Sequence, residues 1–488
     1  MGCGVFGIYD ENGGQVYSYI YWGLKALNHR GHQSYKIVTY DVMFHQYGDL
    51  GLVPTLDQIN SKLKPAILSD LLRGSVGVGN VRYNTYGKTD EESLVKDCQP
   101  LYISSNGINL TISYNGNIVN TSGLKRKIVS EFGPMSTTTD TEIISKKLIL
   151  EMRSNDLFSA VRECMKQIEG AYSIVGIKDG DLFAFRDSCG IRPLCYGKSE
   201  DGKIHSFASE LPALRINGFE FDSNVNPGEC IVVSKKGVER RQLVKGRKKA
   251  FCAFESAYFS RPDSQLPNGK SVYIVREEFG RNLARENKDL VKRLDVVISL
   301  PETADDSAYA FHEETGIRWE RAVRRHRFIT DRAFIKPTGD RVRTVKRKIN
   351  IVSERLKDKI LGCVDDSIVR GDTTKNIIGE IKKVAKEVHL FITFPKIISP
   401  CPYGIDMATF DELIGANKSI EEICKYIKAD SLHYQTLEDF LNAIGYRRNE
   451  LCLGCLTRNY PTPYANKFIN RMWEEPSRKF SRTGRIYQ

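Results

Sequence analysis

Two adjacent carboxylates, Asp365 and Asp366, follow the apolar run Ile360-Leu361-Gly362-Cys363-Val364 and precede Ser367-Ile368-Val369-Arg370-Gly371-Asp372-Thr373-Thr374. The apolar run reads as a buried strand, and Ile377, Ile378, Ile381, Val384 and Ala385 recur after it as one helix face. A second apolar run, Val388 to Phe394, completes a strand–helix–strand unit. In open parallel sheets ligands bind beyond the carboxyl ends of strands, and free backbone N–H groups ahead of a helix suit phosphate. Two carboxylates would repel a phosphate in direct contact. They suit ribose hydroxyls, or a Mg²⁺ ion that itself carries phosphate oxygens. The stretch points to a phosphorylated sugar, although an Asp-Asp pair alone also fits a capped surface turn.

Cysteine is the other residue type with chemistry to offer. The chain has twelve and no export signal, which favours thiols or metal ligands over a disulfide scaffold. Cys452 and Cys455 form a C-x-x-C, a metal or redox pattern, and Cys3 lies in the Gly-punctuated segment Met1 to Ile8. Taken singly, several residues have plain structural readings. Cys3 could be a packed thiol, Arg82 a surface strand charge, Asn115-Gly116 a hairpin turn and Asp140 a helix N-cap.

The elements that must position these residues differ between the two halves. In the first half, Val16, Ile20, Leu24 and Leu27 mark a helix, and helices fit Glu142 to Met152 and Leu157 to Ile168. Short strands with turns at Asp179-Gly180 and Asp201-Gly202 fill most of the rest, suggesting strands sandwiched by helices. In the second half, a helix from Tyr273 to Asn287, a strand from Val296 to Leu300 and a helix from Asp306 to Glu314 precede the Asp365 unit.

At 488 residues the chain exceeds one ordinary core, and two to three domains are expected. No apolar run approaches the roughly 18 residues of a membrane span, and no basic segment precedes an apolar one at the start, so no membrane partner and a cytoplasmic location are expected. The net charge of +12 concerns partners rather than fold. The basic residues spread over the second half, densest from Arg321 to Arg347 and again at Arg478, Lys479, Arg482 and Arg485, without a nucleic-acid module. A phosphate-rich substrate accounts for part of the excess, and nucleic acid is not an expected partner.

The string Val364-Asp365-Asp366-Ser367-Ile368-Val369-Arg370-Gly371-x-Thr373 resembles the phosphoribosyl pyrophosphate (PRPP) motif of type I phosphoribosyltransferases, and its wording is closest to that of the amidophosphoribosyltransferase family. The N-terminal half agrees. Cys3, His29-Arg30-Gly31, Asn80 to Thr85, Gln99-Pro100, Tyr114-Asn115-Gly116-Asn117, Thr138 to Glu142, Gly170 to Ser173, and Arg186-Asp187 with Gly190 to Leu194 resemble, in order, a class II glutamine amidotransferase domain.

The resemblance implies an α/β chain in three parts. Residues 1–240 would form a four-layer αββα N-terminal-nucleophile (Ntn hydrolase) domain and 241–464 a type I phosphoribosyltransferase domain with a Rossmann-like parallel sheet, followed by a basic tail over 465–488. Cys3 would be the nucleophile, with its own α-amine as base once the preceding residues are removed. Asn115 and the Gly116 N–H would form the oxyanion hole, Arg82 would clamp the glutamine α-carboxylate, and Asp140 would receive its α-ammonium. PRPP would lie against Thr303, Asp365, Asp366, Ser367, Arg370, Gly371, Thr373 and Thr374, with Mg²⁺ at Thr303, Asp365 and Asp366. Arg325 to Pro337 resembles a loop that closes over PRPP.

Cys252, Cys401, Cys452 and Cys455 match the ligands of a structural [4Fe–4S] cluster in one branch of the family, although four thiolates also suit zinc. The other seven cysteines, such as Cys98 and Cys424, read as buried thiols. The implied activity makes 5-phosphoribosylamine from PRPP, glutamine and water in the first step of purine synthesis. Purine nucleotides are the expected feedback ligands, and a homo-oligomer, dimer or tetramer, the expected assembly.

Some positions depart from the family pattern. Gly2 precedes Cys3, Asn80 and Tyr114 stand where histidines are frequent, Tyr35-Lys36 replaces a small pair, and Glu302 and Ala304 alter the pyrophosphate loop. Asp372 replaces a threonine. A carboxylate within about 4 Å of a phosphate costs about 4 kcal/mol per charge pair at an effective dielectric near 20, unless it points away. These changes also fit a weakened paralogue that binds PRPP or a purine nucleotide and regulates a partner; the charge excess alone would suggest a PRPP-sensing nucleic-acid regulator.

Overall fold

The computed structural model describes residues 2–55, 65–83, 90–246, 248–326 and 349–475. Its first half contains the strands β1 (Gly4–Asp10), β2 (Ser34–Tyr40), β3 (Phe44–Leu50), β4 (Val76–Arg82), β5 (Leu101–Ser105), β6 (Ile108–Ile118), β7 (Gly170–Lys178), β8 (Asp181–Arg186), β9 (Cys195–Lys198), β10 (Ile204–Ala208), β11 (Glu220–Asn224), β12 (Glu229–Ser234) and β13 (Gly237–Gln242). One sheet runs β11, β9, β10, β1, β4, β2, β3 and the other β13, β12, β8, β7, β6, β5, with antiparallel pairing throughout.

Alternation along β1 explains the layering. Phe6 and Ile8 pack with Ile20 and Leu24 of the helix Tyr17–Ala26, while Val5 and Tyr9 pack with Val175, Ile177 and Leu182 of the second sheet. The sheets approach so closely that a Cβ at Gly7 would lie 2.3 Å from Val175 Cγ1. On the outer face of the second sheet, Ile143, Ile144 and Leu148 of the helix Asp140–Met152 and Val161 of the helix Leu157–Gln167 cover Ile112, Tyr114 and Ile174. The order of layers is helix, sheet, sheet, helix. Asn115 and Gly116 lie within β6, opposite Ser173 and Tyr172, so they form no hairpin turn.

The second half contains β14 (Phe251–Cys252), β15 (Val296–Ser299), β16 (Val323–Arg325), β17 (Ile349–Ile351), β18 (Ile360–Asp365), β19 (Glu387–Ile392), β20 (Ser431–Tyr434) and β21 (Leu451–Cys452). The strands β15, β18, β19 and β20 form a parallel sheet in that order. After β18 comes the helix Asp372–Ile381, which ends before Val384 and Ala385. Those two residues stay partly buried on the same core from a turn, closed where the Val384 and Ala385 N–H groups bond the Ile381 carbonyl, so their apolar character continues the spacing without continuing the helix. β19 ends at Ile392, and beyond it the Thr393 and Phe394 N–H groups still bond the Asp365 and Asp366 carbonyls, holding the paired aspartates against this strand.

β16 and β17 pair antiparallel on either side of residues 327–348, so most of the expected closing loop lies outside the described residues, as do Arg478 to Arg485. The helix Pro463–Glu474 spans position 465, where the tail was expected, and buries Ala465, Phe468, Ile469 and Met472. Among the described residues no helix is long and apolar enough to cross a membrane.

Candidate active sites

Cys3 is buried at the start of β1, and its thiol donates to the Tyr83 carbonyl at 3.7 Å. Burial raises its pKa, an effect countered in part by that hydrogen bond and by Arg82. β1 pairs with β4 (Gly4 opposite Val81), which brings Arg82, the last residue of β4, beside the thiol. The buried Arg82 guanidinium faces Asp97 at 3.4 Å, and Asp97 also accepts from the Thr138 N–H at 2.8 Å and the Thr138 hydroxyl at 2.6 Å. Asp97 stands two residues before Gln99-Pro100 but carries no motif or periodicity of its own, so the sequence does not single it out.

Asp140 opens the helix Asp140–Met152, following the N-cap Thr139. Its Oδ2 accepts from the Tyr114 hydroxyl at 2.8 Å and the Ile118 N–H at 3.2 Å, and burial pushes its carboxyl up to about 6. Tyr114 is held in turn: the Asn80 amide donates to its carbonyl at 3.2 Å and to Ser113 Oγ at 3.0 Å. The Tyr35 ring centroid lies 6.5 Å from that of Tyr47 in a tilted arrangement, and burial lowers the pKa of Lys36.

Asn115 is fully buried, and neither its Oδ1 nor its Nδ2 has a hydrogen-bond partner. An unpaired buried amide costs about 1–3 kcal/mol. It sits next to the nucleophile, because a Cβ built on Gly2 would be 3.0 Å from Asn115 Oδ1. Gly116 has φ +152°, and a Cβ there would lie 1.9 Å from the Ala171 carbonyl oxygen, so only glycine fits.

A buried ionic network supports this site. Arg30 donates to the Cys3 carbonyl at 3.2 Å, to Glu255 at 2.7 and 3.0 Å, and to Glu210. Arg192 donates to Glu255 at 3.1 Å and to the Tyr403 carbonyl at 2.6 Å. Burial would raise Glu210, but His29 and Arg30 hold it well below its usual range. Charges so completely desolvated are tolerated only when matched, and their matching fixes one geometry around the Cys3 backbone.

At the parallel sheet, β15 and β18 end at the same edge, bringing Thr303 to Asp366, whose side chains bond. Ser367 Oγ donates to Asp366 at 2.6 Å. Burial pushes Asp366 up to about 6, and burial together with the Asp366 charge pushes Asp365 well above the carboxylate range. Arg276 counters part of this at Asp366, from a buried position where it donates to the Ser256 and Ser260 carbonyls. Gly371, at φ +81°, is the N-cap of the next helix, whose first turn contains Thr373 and the buried Thr374.

Arg370 turns toward two carboxylates, Glu412 at 3.1 Å and Asp406 at 3.5 Å. Asp406 also accepts from the Tyr83 hydroxyl at 2.6 Å, so Tyr83 touches the nucleophile with its carbonyl and the PRPP-type loop through Asp406. The Asp372 carboxylate accepts from the Tyr426 hydroxyl at 2.8 Å.

The four family-register cysteines meet in one apolar cluster. Cys252 of β14 stands opposite Cys452 of β21, the Ile398 and Ser399 N–H groups bond the Cys455 carbonyl, and Cys401 is tied to Met407. Burial raises Cys252, Cys452 and Cys455, and the charge of neighbouring thiols adds to it: Cys401 at Cys252, Cys252 and Cys401 at Cys452, and Cys401, Cys452 and Cys252 at Cys455. Arg192 offsets negative charge at Cys252. Among the described residues no group of three or more His, Cys, Asp or Glu side chains is placed as a metal ion would need. Of the remaining cysteines, Cys424 is half-buried rather than buried.

Residues 90–216 match the model of a glutamine amidotransferase domain. The chain is 39% identical to the amidophosphoribosyltransferase of Methanocaldococcus jannaschii, over 94% of this chain and 98% of the relative, and 33% identical to that of Bacillus subtilis, over 94% of each. The solved glutamine PRPP amidotransferase of B. subtilis, complexed with ADP and GMP, superposes with a TM-score of 0.83 at 32% identity, covering 95% of this chain and 98% of that one. A second solved structure, described as the allosteric regulatory enzyme of purine biosynthesis, gives 0.82 at 30% identity, covering 94% and 96%.

Proposed function

The chain belongs to the amidophosphoribosyltransferase family, and from that premise we propose that it hydrolyses glutamine at Cys3 and uses the ammonia to displace pyrophosphate from C1 of PRPP, giving 5-phosphoribosylamine. The observation that carries the glutaminase half is the unpartnered Asn115 amide beside Cys3. Its Nδ2 and the Gly116 N–H are the donors for the oxyanion that forms when the thiolate attacks the glutamine amide, a contribution of about 2.7–4 kcal/mol for one donor in a comparable site.

Burial disfavours the Cys3 thiolate, so the thiol needs a base at hand. The Cys3 α-amine serves once the Gly2–Cys3 bond is cleaved, and loss of Gly2 also clears the space against Asn115. Arg82 receives the substrate α-carboxylate and Asp140 its α-ammonium, while Asp97 and Tyr114 hold these two side chains in place.

In the second half-reaction, departure of pyrophosphate leaves positive character on the ribose, and the protein's task is to position and to exclude water. The Gly371 turn and the first N–H groups of its helix, with Ser367, Thr373 and Thr374, cradle the 5′-phosphate. Thr303, Asp365 and Asp366 would hold ribose hydroxyls and Mg²⁺, which supplies charge neutralisation for the pyrophosphate; two buried carboxyls, Asp365 raised further by the Asp366 charge, suit such a cation. Arg370 acts from behind the loop, anchoring it to Asp406 and Glu412.

Cys252, Cys401, Cys452 and Cys455 would hold a [4Fe–4S] cluster, a structural link between β14, β21 and the 401–407 turn. Four buried thiols in one apolar cluster with Arg192 nearby support this reading; the described side chains form no ready-made single-ion site, so loading the cluster would draw the thiols together. Iron and sulfide analysis of anaerobically purified protein tests this: four irons and four sulfides per chain support it, and one zinc overturns it.

Purine nucleotides as feedback ligands and a homo-oligomeric assembly complete the proposal, the former supported by the ADP and GMP bound to the B. subtilis relative. The departures that would favour a weakened paralogue are accommodated, since Tyr114 bonds Asp140 and Asp372 is engaged by Tyr426. PRPP-dependent release of glutamate tests the whole reading.

A further inference from the structure

We propose that Tyr426 is a positioning residue for PRPP: its hydroxyl holds the Asp372 carboxylate out of the 5′-phosphate cradle, so that this loop accepts an anion despite carrying an acid. The inference rests on the reading of residues 367–374 as a phosphate site. Asp372 is the first residue of its helix, where a negative charge favours the helix itself but opposes any phosphate drawn to the same N–H groups. Rotation of its side chain decides which effect dominates.

The structure assigns that rotation to the helix Ile420–Ile427, which carries Tyr426. The Tyr426 hydroxyl donates to Asp372 Oδ1 at 2.8 Å. The ring has a neighbour on either side: Lys375 Nζ lies 4.0 Å from its centroid, and a Cβ built on Gly371 would reach ordinary van der Waals distance, 3.5 Å, from Tyr426 Cε1. The hydroxyl is already bonded to the carboxylate before any ligand arrives, so holding it there costs little extra ordering.

The test compares PRPP dissociation constants, with Mg²⁺ present, for the full chain, Tyr426→Phe, and Tyr426→Phe combined with Asp372→Asn. Phenylalanine keeps the ring under Lys375 and beside Gly371 and removes only the hydroxyl. The expected result is binding about tenfold weaker in Tyr426→Phe, from a like charge freed near the phosphate, and recovery to within about twofold in the double variant. Unchanged binding in Tyr426→Phe would overturn the inference. So would weakened binding that Asp372→Asn does not rescue, because that marks a general packing defect rather than charge. Failure of the unaltered chain to bind PRPP would instead remove the phosphate-site reading, and this inference with it.

Discussion

At the residue scale, the chemistry was legible where residue type and order were distinctive. Cys3, Arg82, Asn115 and Asp140 could be picked out, and they stand near one another: the Arg82 and Asp140 charges act on Cys3, and Asn115 lies beside Gly2. Their supports could not be read, because Asp97 lies 15 residues from Arg82 and Glu210 lies 180 from Arg30 with no periodicity to link them. Asn115→Ala should lower kcat for glutamine hydrolysis by about 10²–10³ with little change in KM, measured as glutamate release. Asp140 also imposes a pH dependence. Its carboxyl is raised to about 6 by burial, so in the proposed role the charge that would attract the α-ammonium is present above that pH and lost as pH falls through it. A plot of kcat/KM for glutamine against pH should therefore fall on the acid side near pH 6, and Asp140→Asn should abolish that limb together with most glutamine binding.

At the element scale, the helices and strands whose bounds periodicity gave lie within a residue or two of those observed, such as Val272–Glu286 and Leu157–Gln167, and periodicity failed where tertiary contacts decide. Asn115-Gly116 has the composition of a hairpin turn, yet pairing with Ser173 and Tyr172 draws it into β6. Val384 and Ala385 continue a helical spacing although the helix has ended. The basic segment from Asn466 onward read as a short helix or a tail; the structure has a helix there, and Phe468, Ile469 and Met472 are the side that packs. Gly116→Ala should be strongly destabilising, because its Cβ would collide with backbone rather than with a movable side chain, and thermal melting checks this. Ile469→Ala, which opens a cavity under the last described helix, should cost about 2–5 kcal/mol in denaturant unfolding, whereas a mere tail would tolerate it.

At the scale of the whole molecule, Tyr83 connects the surroundings of Cys3 with those of Arg370. Tyr83 contacts Cys3 with its carbonyl and Asp406 with its hydroxyl, and Asp406 faces Arg370 at the foot of the phosphate loop. None of this is visible in sequence, since Tyr83 and Asp406 lie 323 residues apart. Tyr83→Phe should leave glutamine hydrolysis measurable and reduce its stimulation by PRPP several-fold, read as the ratio of glutamate release with and without PRPP.

The most direct measurement is product stoichiometry. Anaerobically purified protein, shown by denatured mass to begin at Cys3, would be given glutamine, PRPP and Mg²⁺, and glutamate and pyrophosphate would be counted together. The expected result is one pyrophosphate for each glutamate, with hydrolysis slower when PRPP is withheld. Glutamate without pyrophosphate, or neither product from a chain whose Cys3 amine is free, would contradict the assignment of coupled sites at Cys3 and Asp365-Asp366.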